Sequence, residues 1–339
     1  MSKAAPHPDN WLLKTAAGLY CAPGGFHIDP VVPVPRAVIT HGHSDHARPG
    51  NGQVLATKET LAIMRARLGG AAGASLQAAA YGESLRLGEV ALRLVPAGHI
   101  LGSAQAVIEY GGRRVVVSGD YKRRADPTCA AFELCRCDLF VTEATFALPV
   151  FRHPPPEKEI GKLLHSLALF PERCHLVGVY ALGKCQRVLA LLRQAGYDEP
   201  VYLHGALVAL CDLYEEAGVK LGPVLRATGL PREALKGRIV LAPPAALADR
   251  WSRLLPDPVI AFASGWMRVR QRAKARGIEL PLVISDHADW DELTGTIEAV
   301  GAEDVWVTHG REEALVHYAA ARGRNARAVS LSGFEEEEG

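Results

Sequence analysis

The chain has 339 residues, 48% of them hydrophobic, and its 38 basic side chains nearly cancel its 37 acidic ones for a formal net charge of +1. Such a composition describes a folded globular protein of one large or two ordinary domains, and it excludes wholesale disorder and any partner attracted by global basicity. No apolar run approaches a membrane span, the opening Met1-Ser2-Lys3-Ala4-Ala5-Pro6 lacks the apolar stretch of a signal peptide, and seven scattered cysteines argue against a disulfide framework. A cytoplasmic protein without a membrane partner is expected.

The first third reads as short strands joined by glycine turns. A strand at 26–28 runs into Asp29-Pro30, and a second, Ala37-Val38-Ile39-Thr40, delivers His41-Gly42-His43-Ser44-Asp45-His46. Four potential metal ligands thus fall within six residues on a loop after a strand. Alternation and a bend let His41 and His43 converge on one ion while Asp45 and His46 swing to a second. Imidazole and carboxylate without thiolate suit zinc, manganese or iron at an open catalytic position. Thr57 is placed to cap a helix over 58–68 that Gly69-Gly70 stops. Strand residues 85–96 then deliver Ala97-Gly98-His99, and a hairpin about Gly111-Gly112 ends in Ser118-Gly119-Asp120. Leu139-Phe140-Val141-Thr142 ends at Glu143. Asp29, the histidine loop, His99, Asp120 and Glu143 therefore all follow strand ends, as when a sheet gathers polar groups along one edge. Cys135 and Cys137 sit among Phe132, Leu134, Leu139 and Phe140 and read as buried thiols.

Prolines over 149–156 mark a change of texture, after which helices alternate with short parallel-type strands. Helices are expected over 157–169, 184–194, 206–217 and 245–255, and strands over 175–180, 201–203, 238–241 and 259–263. Gly183-Lys184 opens one helix directly after a strand, where unpaired amides and a lysine suit a terminal phosphate. Ser264-Gly265 ends another strand and suits the same pocket, while Trp266 either stacks a base or seals a domain seam. Arg268, Arg270, Arg272, Lys274 and Arg276 follow at once, a basic segment suited to a nucleic-acid backbone; Lys122-Arg123-Arg124 is a second basic run. A strand over 282–285 yields Asp286-His287-Ala288-Asp289, whose carboxylates could stabilise a protonated His287. A helix over 290–300 follows, then a strand over 304–308 reaching His309, a helix over 311–321, a strand near 326–331, and an acidic tail, Glu335 to Glu338, expected to be disordered.

The hexad, then His99, Asp120 and His309, in this order and each after a strand, resembles the metallo-β-lactamase fold. An inserted α/β domain, Glu143, and the late His287 and His309 are similar to its β-CASP branch, which cuts nucleic acids. Tyr180-Ala181-Leu182-Gly183-Lys184 and Phe262-Ala263-Ser264-Gly265-Trp266 resemble segments of the Artemis-like DNA-repair nucleases, and the whole looks most like the bacterial exonucleases encoded beside an ATP-dependent DNA ligase. The resemblance implies an αββα core from 1–150 and 281–339 with a βα-rich β-CASP cap over 151–280. It implies that His41, His43 and His99 hold one metal, that Asp45, His46 and His309 hold the other, and that Asp120 bridges them. Asp29 and Glu143 would orient ligand histidines, and His287 would stand by the scissile phosphate. Two divalent ions, zinc or manganese, a DNA substrate acted on from single-stranded ends in repair, and a DNA ligase as a candidate partner follow from it. One departure bears on substrate: Artemis-like eukaryotic enzymes lack a histidine where His309 stands, whereas RNA-cutting members such as ribonuclease J have it, which keeps an RNA substrate open. A non-catalytic nucleic-acid scaffold is the remaining alternative, and it would have no need of seven converging ligands.

From the residues alone, Asp120 is the natural bridge because its two oxygens can each face one ion, and it follows a hairpin that can fix it. Asp29 and Glu143 suit the free ring N–H of ligating histidines, which sets the tautomer. For Asp29 a simple turn role is an equal alternative.

Overall fold

The structure is a computed structural model and describes residues 5–330; the acidic tail and the first four residues lie outside the described residues. The chain divides into two compact units, one made of the residues up to Pro149 with those from His287 onward, the other of Val150–Asp286.

The first unit is built on two sheets. One has six strands in chain order, Leu12–Thr15, Gly18–Cys21, Phe26–Ile28, Arg36–Val38, Gln53–Ala56 and Ser75–Ala78, antiparallel at its start and parallel from Phe26–Ile28 onward. The other has seven, ordered Asn325–Ala328, Asp304–Gly310, Leu139–Ala144, Arg113–Val117, Ala104–Tyr110, Val90–Pro96 and Leu85–Leu87. Period-two alternation explains how the sheets stack. Val115, Val117, Leu139 and Val141 meet Leu19, Phe26, Ile28, Val38 and Leu55 in one apolar layer between the sheets. Their neighbours Val116 and Phe140 point the other way, onto Leu293, Ile297 and Val300 of the helix Trp290–Val300 and Leu315 and Ala319 of the helix Glu312–Ala320. On the far side, Ala37, Ile39, Val54 and Ala56 take Leu61 and Met64 of the helix Lys58–Leu68. Four layers result, helix, sheet, sheet, helix, which is the expected αββα sandwich.

The second unit carries a six-stranded sheet, parallel throughout, ordered Val224–Arg226, Val201–Leu203, Ile239–Ala242, His175–Gly178, Val259–Ala263 and Leu280–Leu282. The helices Pro156–Leu169, Lys184–Gln194 and Gly205–Glu216 connect its strands, so the expected βα alternation is present. The helix expected over 245–255 is not: two 3-10 turns, Pro244–Leu247 and Ser252–Leu254, stand in its place. Pro243-Pro244 withholds backbone donors, and Asp249 breaks the run by accepting the Ser252 N–H at 3.0 Å through its side chain. Sequence reading also passed over the strands Leu12–Thr15, Gly18–Cys21, Ser75–Ala78 and Val224–Arg226, which are short edge or near-edge strands with little alternation. Among the described residues no helix is long and apolar enough to cross a membrane.

The histidine loop lies directly on the helix Lys58–Leu68. A Cβ at Gly42 would stand 2.5 Å from Ile63 Cγ2, and the Arg67 guanidinium donates to the Gly42 carbonyl at 2.5 Å. Gly42→Ala is therefore expected to lower stability by about 1–3 kcal/mol, the usual cost of overpacking, and to weaken divalent-metal binding by displacing His41 and His43. Adding Ile63→Ala removes the Cγ2 in the way. Chemical denaturation and metal titration should find the double variant binding metal better than Gly42→Ala alone; equal or worse binding would show that the close approach does not set the loop.

Candidate metal centre

Both sheets of the first unit contribute to one cluster. Asp29 follows the strand Phe26–Ile28 and the hexad follows Arg36–Val38, both on the six-stranded sheet. From the seven-stranded sheet come His99, after Val90–Pro96, Asp120, after Arg113–Val117, Glu143 within Leu139–Ala144 and His309 within Asp304–Gly310. Glu143 and His309 share a bulge, since Thr142 pairs with Val307 and Ala144 with Gly310, leaving one residue on one strand opposite two on the other. The extra residue falls on the strand that carries His309, while Glu143 keeps the alternation of Leu139 and Val141. The site also carries backbone strain on both sheets: His309 sits at φ 56° and Asp29 at φ 43°, in the left-handed region where a side chain costs roughly 1–2 kcal/mol.

One nitrogen or oxygen from each of His41, His43, His99 and Asp120 lies within 4.8 Å of every other, and so do those of His46, Asp120 and His309. Asp120 belongs to both groups. Its Oδ2 is 3.4 Å from His41 Nε2, 3.4 Å from His46 Nε2 and 3.8 Å from His99 Nε2, while His99 Nε2 and His43 Nδ1 stand 3.0 Å apart. Asp45 Oδ2 lies 3.5 Å from His46 Nε2. His41 Nε2 and Asp45 Oδ1 are buried atoms without a hydrogen bond. Buried polar atoms are almost always paired, so two such atoms aimed into a cluster of imidazoles fit a site that takes cations. The donor set, imidazole nitrogen and carboxylate oxygen, suits divalent zinc or manganese.

Protonation supports the same fit. Burial, reinforced by His46, holds His41 well below the ordinary imidazole range, and burial followed by His46 brings His309 down to about 3. Both are thus neutral, the form that ligates metal. His46 is the exception: burial alone would lower it, but the Asp120, Asp45 and Asp29 carboxylates outweigh burial and hold it well above its usual value. Carboxylates that retain a proton at Nε2 would equally retain a metal ion there. Burial works to raise Asp120, yet His46 and His41 prevail and keep its carboxyl well below the usual range.

Asp29 organises the ring orientations. Its Oδ2 accepts from His46 Nδ1 at 2.8 Å and from the Thr40 hydroxyl at 2.5 Å, and its Oδ1 accepts the Thr40 N–H at 2.7 Å. The Thr40 hydroxyl in turn lies 3.1 Å from His41 Nδ1. With its own hydrogen given to Asp29, that oxygen accepts from His41, so one carboxylate fixes His46 directly and His41 by relay, freeing both Nε2 atoms for a cation. Thr40 was passed over in the sequence; the available signal was a hydroxyl at the end of an otherwise apolar strand. Gly119 holds it in place, because a Cβ there, at φ 55°, would stand 2.7 Å from Thr40 Oγ1.

Glu143 serves a different histidine from those of the hexad. Its Oε2 lies 3.0 Å from His287 Nδ1 and its Oε1 accepts the Tyr121 N–H at 2.7 Å. Burial raises the Glu143 carboxyl while His287 opposes the rise. His287 Nδ1 is also 4.0 Å from Asp120 Oδ2, so the histidine stands at the rim of the cluster, with Glu143 as the carboxylate on its ring. Asp289 is instead the cap of the helix Trp290–Val300, accepting the Glu292 N–H, and pairs with Arg124 at 2.8 Å. Lys122, the first residue of the second basic run, is buried and bonded to Glu292 and to the His287 carbonyl, each at 2.9 Å.

The residues expected to bind substrate lie in the second unit, where most are engaged internally. Lys184 opens its helix as expected, but its ammonium is buried on Asp286 Oδ1 at 2.5 Å, and the Gly183 N–H is taken by Gln186 Oε1 at 2.8 Å. Ser264 Oγ accepts the Trp266 N–H at 3.3 Å, and Gly265 is buried beside it. These groups are thus engaged with other residues of their own unit. Trp266 is buried, edge-on to Phe151 at 5.1 Å and covered by the Arg272 guanidinium at 4.1 Å. Arg268 and Arg270 are exposed, as are Lys274 and Arg276.

No protein-family model matches the chain. It is 29% identical over 94% of its length to a probable DNA ligase of Opitutus terrae, 27% identical over 53% to Integrator complex subunit 11 of Gallus gallus, and 33% identical over 41% to endoribonuclease YSH1 of Candida glabrata. The chain spans 31%, 30% and 16% of those three relatives, about a third or less of each. Among solved structures, a protein of unknown function from Enterococcus faecalis V583 superposes with a TM-score of 0.57 at 15% identity, over 88% of this chain and 80% of that one, which is a likeness of fold. The αββα sandwich, the strand-end histidines and these relatives together fit the β-CASP branch of the metallo-β-lactamase fold.

Proposed function

We propose that this protein is a two-metal nuclease that hydrolyses phosphodiester bonds, and specifically a cytoplasmic DNA exonuclease working on single-stranded ends in repair. The observation that carries the hydrolytic reading is the pair of ligand groups that share Asp120. Two divalent ions, zinc or manganese, held by His41, His43, His99 and Asp120 and by Asp45, His46, Asp120 and His309, would acidify a water and draw charge from a non-bridging phosphate oxygen. The chain's own groups do the rest. Asp45 Oδ1, buried without a hydrogen bond, would accept a proton of the attacking water. His287, its Nδ1 on Glu143, donates from Nε2 to the departing sugar oxygen. Asp29 keeps His41 and His46 in the tautomer that offers Nε2 inward.

DNA as substrate is supported by the probable DNA ligase, a relative that matches across nearly the whole chain, and a ligase module is the partner we propose on the same ground. The exposed Arg268, Arg270, Lys274 and Arg276 supply positive charge for a phosphate backbone. A second reading, an RNA-cutting enzyme of the same branch, is favoured by His309 and by the relatives named as endoribonucleases.

One assay separates these. Purified protein loaded with zinc or manganese is given matched end-labelled single-stranded DNA and RNA, with and without a 5′ phosphate. Metal-dependent stepwise shortening of DNA is expected, and chelation should stop it; preferential or internal cutting of RNA would transfer the protein to the second reading, and cutting of neither would remove both. Asp120→Ala is expected to abolish cleavage with the fold intact by circular dichroism, and activity retained in saturating metal would sink the shared-carboxylate mechanism. For Asp29→Ala the expected outcome is a metal affinity lower by roughly 10–100-fold, read by calorimetry; unchanged affinity would reduce Asp29 to a turn residue.

A further inference from the structure

We infer that Lys122 is a positioning residue for His287, acting through the histidine's backbone and tying the proton donor to the loop that carries Asp120. This rests on the nuclease reading above, in which His287 protonates the leaving oxygen.

His287 is held at three points. Glu143 Oε2 takes its Nδ1 at 3.0 Å, Lys122 Nζ donates to its carbonyl at 2.9 Å, and the next amide, Ala288 N–H, donates to the Tyr121 carbonyl at 2.6 Å. Two of the three come from the residues immediately after Asp120, and the third is itself fixed by the Tyr121 N–H on Glu143 Oε1. A side chain whose own carbonyl and following amide are both pinned has little freedom in where its ring points. The ring therefore keeps its register to Asp120 through two residues of one loop.

The same loop meets the third strand end of the site. Lys122 N–H donates to the Ala97 carbonyl at 3.0 Å, and a Cβ at Gly98 would stand 2.3 Å from the Lys122 oxygen, so the turn carrying His99 lies against Lys122 as well. A lysine suits this place because its ammonium carries several donors on one atom, and one donor alone could not span a carbonyl and a carboxylate. Burying that charge requires a counter-charge, which Glu292 provides at 2.9 Å. Glu292 is in turn immobilised by the Arg123, Arg124 and Asp289 amides at 3.1, 2.8 and 3.1 Å, and these with Lys122 keep its carboxyl below the usual range although burial alone would raise it.

A purely structural staple between this loop and the helix Trp290–Val300 would use the same bonds, so the test reads the chemistry. Metal-loaded wild type and Lys122→Met are compared on an oligonucleotide, whose leaving alkoxide needs a proton, and on a thymidine nitrophenyl phosphodiester, whose nitrophenolate does not. For Lys122→Met we expect kcat on the oligonucleotide to fall about 100-fold, the usual penalty for slight misplacement of a reacting group. KM and bound metal should stay unchanged, and most of the loss should vanish on the nitrophenyl ester. Because Met leaves Glu292 buried and unpaired, the charge-balanced Lys122→Met/Glu292→Gln protein is measured beside it and should show the same ester-dependent loss. Combining Lys122→Met with His287→Ala should cost little beyond His287→Ala. Equal losses on both esters, loss accompanied by metal release, or unchanged kcat overturn the positioning role. His287→Ala separates the two levels of inference: an ester-dependent loss there without one in Lys122→Met removes only the Lys122 assignment, whereas wild-type kcat in His287→Ala, or a wild type that cleaves neither ester, removes the donor reading and the inference with it.

Discussion

A single carboxylate oxygen governs the architecture of this centre. Asp120 Oδ2 faces His41, His46, His99 and His287 at 3.4 to 4.0 Å, and the first three are buried rings from two different strand ends. So many imidazoles cannot share a dry space unless negative charge stands between them, because each protonated ring would repel the others and each neutral ring would present a lone pair to its neighbour. The carboxylate resolves this for a metal-free cluster and prepares it for cations, since the direction in which His46 and Asp120 shift is the direction that favours a positive charge at their meeting point.

Such a meeting point demands that two sheets hold their strand ends in fixed register. The sandwich meets this demand through apolar packing far from the chemistry, where Val38 and Leu55 lie against Val115, Val117 and Val141. Closer in, glycine does the work. Gly119 permits the loop of the seven-stranded sheet to approach Thr40 of the six-stranded sheet, and Gly310 permits the bulged strand to lie where a Cβ would stand 2.3 Å from the Ala144 oxygen. The left-handed backbone at Asp29 and His309 is a further cost carried at the site, offset by the packing that over-determines it. Core packing and site geometry are therefore one problem: a volume change between the sheets would be felt first as a change in the distances around Asp120.

What could be read from the sequence follows the same physics. The hexad, His99, Asp120 and His309 could be singled out because strand-then-ligand is a local pattern, and the αββα layers were expected only through the family resemblance that this pattern carries. Pairings between distant residues were not legible. Nothing local to Glu143 announces that its partner is His287, 144 residues on, nor that Lys122 reaches Glu292 170 residues away. Basic residues were read by their charge, and their burial was out of reach: Lys122 and Lys184 each sit on a carboxylate inside their own unit. The failed helix over 245–255 has a local cause, the Pro243-Pro244 pair and the Asp249 side chain, and a stricter reading of those three residues would have found it.

The two buried lysines also show how charge is distributed between chemistry and fold. A buried ammonium is tolerated only with a partner, and removing either partner strands a charge at a cost of about 3–5 kcal/mol. Both pairs here join residues far apart in sequence, Lys122 to Glu292 and Lys184 to Asp286, and both end beside the segment Asp286-His287. Within the first unit, Lys122 also holds the His287 carbonyl. Hydrophobic contacts would fill such positions more cheaply but could not fix an orientation, because they lack direction. A charged clamp on its carbonyl is what a chain would carry if the direction of the His287 ring matters more than the stability lost in burying the lysine.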